Sequence, residues 1–189
     1  YFESVVEDYE HHATFKDLSF PRLKYITIER VELKKYEKLY LTQYLQPQLK
    51  SFDFKGGGTC ENLLPTIAAS CPALEEITLE EPVNDYNQDY HLKSLKNCKS
   101  LETICLGLGW TGRLTPEVFV GVAGLEGLEA LDISALVGDY TIREALSMTS
   151  NPFSNLRHLD LNLKSQSIAR LASVATSLSG LVLIINDSD

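Results

Sequence analysis

The 189-residue chain is short of basic residues, with 17 Lys plus Arg against 26 Asp plus Glu, a formal net charge of −9 and a sequence pI near 4.9. So few cations grip a phosphate backbone poorly, and nucleic acid is excluded as the expected partner. Long apolar runs are also missing: none reaches the roughly 18 residues of a membrane span. The opening YFESVVEDYE has neither a basic start nor an apolar stretch, so neither a membrane protein nor a signal peptide is expected. Cysteine is sparse. Cys60, Cys71, Cys98 and Cys105 form no CxxC pair and are too thinly spread for a disulfide framework. They read as reduced, buried thiols, which points to a cytoplasmic or nuclear setting. His11, His12, His91 and His158 lack metal-ligand spacing, and no GxSxG elbow supplies a nucleophile. No catalytic residue, metal site or cofactor is expected, and the chain reads as a non-enzyme.

What is present is repetition, set in a chain whose 44% hydrophobic content suffices for one sizeable core. The segments LKYITI from Leu23, LKSFDF from Leu49, LEEITL from Leu74, LETICL from Leu101, LEALDI from Leu128 and LRHLDL from Leu156 all fit LxxLxL, with Ile or Phe allowed for Leu. LVLIIN from Leu181 reads as a weaker seventh copy. Successive starts are separated by 26, 25, 27, 27, 28 and 25 residues, within the range of about 20 to 29 for a leucine-rich repeat. In an extended hexamer the fourth and sixth residues point to one face and the third and fifth to the other, so one face is core.

Between hexamers the apolar residues recur at helical spacing, as in Val118, Val122 and Leu125, or Ile168, Leu171, Ala172 and Ala175. Thr115-Pro116 suits an N-cap and first helical position, and Thr141 with Glu144 matches a capping box. Each unit is therefore strand, turn, helix, turn. No single unit buries its own apolar face, so stability must come from stacking into an α/β solenoid, with parallel strands on a concave side and helices on the convex side. At about 4.8 Å per strand, seven strands span roughly 29 Å, enough for one protein partner.

Two units carry a finer signature, SCPALEEITL (Ser70 to Leu79) and NCKSLETICL (Asn97 to Leu106), with Cys71 and Cys98 three residues before the first leucine. They resemble the cysteine-containing class of leucine-rich repeats, whose units read roughly CPxLxxLxL with a period of about 26 residues. The resemblance covers Phe20 to Ile185 and implies a ribonuclease-inhibitor-like horseshoe. It further implies the substrate-recognising part of an F-box-type ubiquitin ligase adaptor, with ligase subunits bound through other regions. The alternative it carries is a ribonuclease-inhibitor-like regulator that blocks a basic partner protein. The other units depart from the signature, with Pro47, Gly127, Asn155 or Gly180 near the junction and no matching cysteine.

Two glycine-rich stretches are decoys. Gly107 to Gly112 satisfies GxGxxG after a strand, with Asp132 at the spacing of a ribose-binding acid. The helix signal, however, comes only at Thr115-Pro116, and Asp132 holds the same hexamer position as Asp53 and Asp160. Lys55-Gly56-Gly57-Gly58-Thr59 lacks the order of a phosphate-binding loop and reads as a turn.

The third, fifth and seventh positions define the outward face: Tyr25, Thr27, Glu29; Ser51, Asp53, Lys55; Glu76, Thr78, Glu80; Thr103, Cys105, Gly107; Ala130, Asp132, Ser134; His158, Asp160, Asn162; Leu183, Ile185, Asp187. Seven of these 21 are acidic and one is basic. Such a strip suits a basic protein segment, with Glu29, Asp53, Glu76, Glu80, Asp132 and Asp160 as electrostatic contacts, His158 among them and Tyr25 as an aromatic anchor. The polar connection EEPVNDYNQDYH from Glu80 adds Tyr86 and Tyr90 as candidate loop contacts. Residues 1–19 read as a flanking or capping segment and 20–189 as the repeat domain. With no polar capping unit after the apolar run Leu181 to Ile185, further repeats are expected beyond Asp189, and an adaptor-binding motif before Tyr1.

Overall fold

A computed structural model describes residues 20–29, 44–55, 63–79, 92–107, 115–148, 155–163, 168–171 and 177–185. The 1–19 segment, Glu80, Tyr86, Tyr90 and the Gly56 to Gly58 turn lie outside the described residues. Seven strands follow along the chain: β1 (Tyr25–Glu29), β2 (Ser51–Lys55), β3 (Glu76–Leu79), β4 (Thr103–Leu106), β5 (Ala130–Val137), β6 (His158–Leu163) and β7 (Gly180–Ile185). All neighbours pair in parallel, and the spatial order is the chain order. Between β2 and β3 runs α1 (Leu63–Ser70), between β3 and β4 a 3-10 helix (Lys93–Asn97), between β4 and β5 α2 (Pro116–Ala123), and between β5 and β6 α3 (Asp139–Met148). The protein is thus α/β, with helices joining the strands of one open parallel sheet, as parallel pairing requires of its crossovers.

The hexamers stand in register. Their fourth positions, Phe52, Ile77, Ile104 and Leu131, are Cα partners in sequence, and so are their sixth positions, Phe54, Leu79, Leu106 and Ile133. All eight are buried and merge with Leu63, Ile67, Val118, Phe119, Val122 and Ile142 from the helices into one core. Each such side chain contributes about 1.5–3 kcal/mol by leaving water, and every unit lends its neighbour the wall it needs.

The backbone repeats as faithfully. The second-position carbonyls of Lys24, Lys50, Glu75, Glu102, Glu129 and Arg157 each accept two N–H groups from the next unit, at 2.7–3.0 Å. One turn earlier, the leading leucine's N–H donates to the carbonyl three residues before it, as in Leu74 to Cys71 and Leu101 to Cys98, both at 3.1 Å. The cysteines fill this turn. Both are buried, and the Cys98 thiol lies 3.8 Å from the Cys71 carbonyl of the preceding unit. Burial pushes the Cys71 thiol up to about 12 and that of Cys98 up to about 11, so neither ionises near neutrality. Gly127 sits in the same junction, where an added Cβ would stand 3.2 Å from the Leu101 carbonyl oxygen.

Local signals fared unevenly. Thr115 caps α2, its hydroxyl accepting from the Val118 N–H at 3.4 Å, with Pro116 in the first turn. Thr141 does not mark a helix start. The helix α3 begins two residues earlier at Asp139, the Gly138 carbonyl accepts the Ile142 N–H, and Thr141 is buried inside the helix. An acidic Asp139 in the first turn, where the helix dipole favours it, outcompetes the capping box as the start signal. In β5 the register shifts between Ile133 and Leu136, so Leu136 rather than Ser134 is the Cα partner of Asn162.

The seventh copy is a larger correction. His158 pairs with Gly180, Asp160 with Val182 and Asn162 with Ile184, so the hexamer begins at Leu178, as LSGLVL, and not at Leu181. The offset is three residues. Because strand side chains alternate, an odd offset exchanges the faces. Leu183 and Ile185 therefore align with the core positions Leu161 and Leu163, and Asp187 falls outside the described residues. Gly180 fits the correct frame: an added Cβ there would lie 2.6 Å from the His158 imidazole Nδ1.

Candidate functional site

The strands carry alternate residues to the face opposite the core, and the register arranges these residues in rows running across the sheet. One row is Tyr25, Ser51, Glu76, Thr103, Ala130, His158 and Gly180; the next is Thr27, Asp53, Thr78, Cys105, Asp132, Asp160 and Val182. Seven of the expected contact residues, Tyr25, Glu29, Asp53, Glu76, Asp132, His158 and Asp160, are therefore on one face of one sheet.

Along that face the acids are handled differently. Near β1 and β2, Lys55 lies 3.5 Å from both Glu29 and Asp53, an internal counter-charge between two strands. Ser51 donates its hydroxyl to Glu76 at 3.1 Å. Tyr25, at the sheet edge, is 67% exposed. In the second half the thiol of Cys105 donates to the Asp132 carboxylate at 3.4 Å, which places that cysteine on the open face as its position predicts. Asp160 is the Cα partner of Asp132, and its Oδ1 is buried with no hydrogen-bond partner among the described residues. Desolvation, then the neighbouring Asp132 charge, raises the Asp160 pKa from its ordinary 3.8, while His158 works weakly the other way.

A second charged strip is one that sequence reasoning missed. The second hexamer positions, Lys24, Lys50, Glu75, Glu102, Glu129 and Arg157, form a column at the N-terminal ends of the strands. Here Lys50 pairs with Glu75, which holds the ammonium above its ordinary value, and Arg157 lies 3.6 Å from Glu129. A groove of about 660 Å³ opens beside this column, lined by Glu75, Glu102, Glu129 and Arg157 together with Lys99 and Glu126. Reading the second position of every hexamer would have found the column. Attention to positions three, five and seven passed it by.

Among the described residues no group of three His, Cys, Asp or Glu could hold a metal ion, and no helix is long and apolar enough to cross a membrane. The open face is a broad sheet surface of mixed hydrogen-bonding and acidic groups. Neither a protein-family model nor a curated protein matches the sequence.

Proposed function

We propose that the chain is a leucine-rich-repeat recognition module, a non-enzymatic solenoid whose open sheet face binds a basic segment of another protein. The observation that carries this reading is the stacking of LxxLxL hexamers in chain order, which sets Glu29, Asp53, Glu76, Asp132 and Asp160 on one surface. Acidic residues held on a rigid sheet speed encounter with a cationic partner and fix its orientation. The cysteine-bearing units favour the substrate-binding part of an F-box-type ubiquitin ligase adaptor as the setting, in the cytoplasm or nucleus.

The test compares the immobilised chain with an Asp132→Lys/Asp160→Lys variant in quantitative capture from cell extract at physiological salt. A partner with a basic segment, retained by the native chain and lost by the variant, is the expected result, together with ligase subunits when the protein is isolated from cells. Equal capture by both proteins rejects the open face as the binding surface. Suppression of the captured partner's own activity by the chain alone, without ligase subunits, would favour an inhibitor over an adaptor.

A further inference from the structure

The correct frame of the last hexamer changes what the open face offers. Val182 and Ile184 stand in the same rows as Asp160 and Asn162, one strand further on; like Leu181 and Ile185 on the other face of this edge strand they are exposed, and the register assigns them to the open face. The second half of the face is therefore composite: carboxylates on β5 and β6 abut exposed aliphatic side chains on β7. The first half has no such step, since Lys55 sits beside Glu29 and Asp53 there.

We infer that the β5–β7 part of the open face docks an extended partner segment that crosses the strands and presents a basic side chain and, two residues away, an apolar one. This rests on the proposed recognition role and specifies its partner. Charge complementarity sets the first half of the motif. A cationic group over Asp132 and Asp160 offsets the repulsion between neighbouring carboxylates. Geometry sets the second half. Neighbouring strands are about 4.8 Å apart, so the midpoint of β5 and β6 lies about 7 Å from β7. An extended chain advances about 3.3 Å per residue and returns to the same side every second residue, which matches that step. The apolar side chain covers Val182 and Ile184, while the carboxylates refuse an acidic residue at the other contact.

Blocked octapeptides in a Gly/Ser background test this: a combined peptide with arginine and leucine two residues apart, made in both orders and represented by the tighter binder; one with the arginine alone; one with the leucine alone. Binding is followed by NMR titration of the 15N-labelled chain, which reads weak affinities and locates them. The combined peptide is expected to bind at least about tenfold more tightly than either single-residue peptide, with shifts centred on β5 to β7. Val182→Ser/Ile184→Ser is expected to reduce its affinity to that of the arginine peptide, and Asp132→Asn/Asp160→Asn to that of the leucine peptide. Equal binding of the combined and arginine-only peptides overturns the composite motif but leaves basic-segment recognition standing. Failure of both arginine peptides to bind, or shifts confined to β1 and β2, overturns the inference, and the former defeats basic-segment recognition as well. The peptide comparison on the native chain is independent of whether any variant folds.

Discussion

On the inner face of the sheet, Phe52, Ile77, Ile104, Leu131 and Leu159 lie side by side and are wholly buried. Their neighbours one residue along, Asp53, Thr78, Cys105, Asp132 and Asp160, occupy an equally regular row on the other face, three of them aspartates. The same hexamers make both rows. The inner one is constrained by packing, because each side chain must fill the space left by the units on either side. The outer one fills no core: its side chains are half-buried, and they meet solvent and polar neighbours such as Lys55 beside Asp53 and Cys105 beside Asp132. Parity of position within a strand thus separates the residues that fill the core from those on the open face.

The comparison breaks most sharply at an inner residue. Phe52→Ala should cost about 3–5 kcal/mol, read from urea unfolding, because the cavity lies between two stacked units. The two faces also predict a split in thiol chemistry. In the folded chain at pH 8, Cys71 and Cys98 should resist iodoacetamide while Cys105 is modified, and the two buried thiols should react only once denaturant unfolds the sheet. Site-resolved mass spectrometry checks this. A smaller effect is expected at the helix start, where Thr115→Ala should lose about 1 kcal/mol by removing the cap on α2.

Smallest of all is the effect on the outer face. The Asp160 pKa is higher in the fold than in the unfolded chain, so its carboxyl favours the folded state when protonated, and that favour is lost as pH rises through the folded value. Asp160→Asn should therefore raise the urea midpoint slightly at pH 7, and the gain should vanish as the pH falls below 3.8, the ordinary aspartate value. A loss of stability at pH 7 would mean that Asp160 is tied into the fold rather than held in reserve for a partner.

Much of this was legible because the inner row is redundant: six LxxLxL copies each repeat the same alternation, and a misreading of one is outvoted by its neighbours. The errors occurred where redundancy fails. At the last copy LSGLVL and LVLIIN both offer plausible apolar spacing, and only pairing with β6 chooses between them. The consequence reaches the site, since the odd offset put Leu183, Ile185 and Asp187 on the open face where the pairing puts Gly180, Val182 and Ile184. In β5 the register shift is set by fit to β6, which no local pattern announces. At α3 two start signals compete within three residues, Asp139 and Thr141, and the helix takes the earlier. The acidic outer strip was readable as composition, but the counter-charge of Lys55 spanning β1 and β2 required knowing which strands are neighbours.

Inter-strand nuclear Overhauser contacts in the labelled protein decide whether the hexamers are consecutive rungs presenting one continuous face. Parallel contacts in chain order are expected, linking Asp53 to Thr78, Thr78 to Cys105, Cys105 to Asp132, Asp132 to Asp160, and Asp160 to Val182. Antiparallel contacts, strands paired out of chain order, or Asp160 paired with Leu183 in place of Val182 would contradict that arrangement.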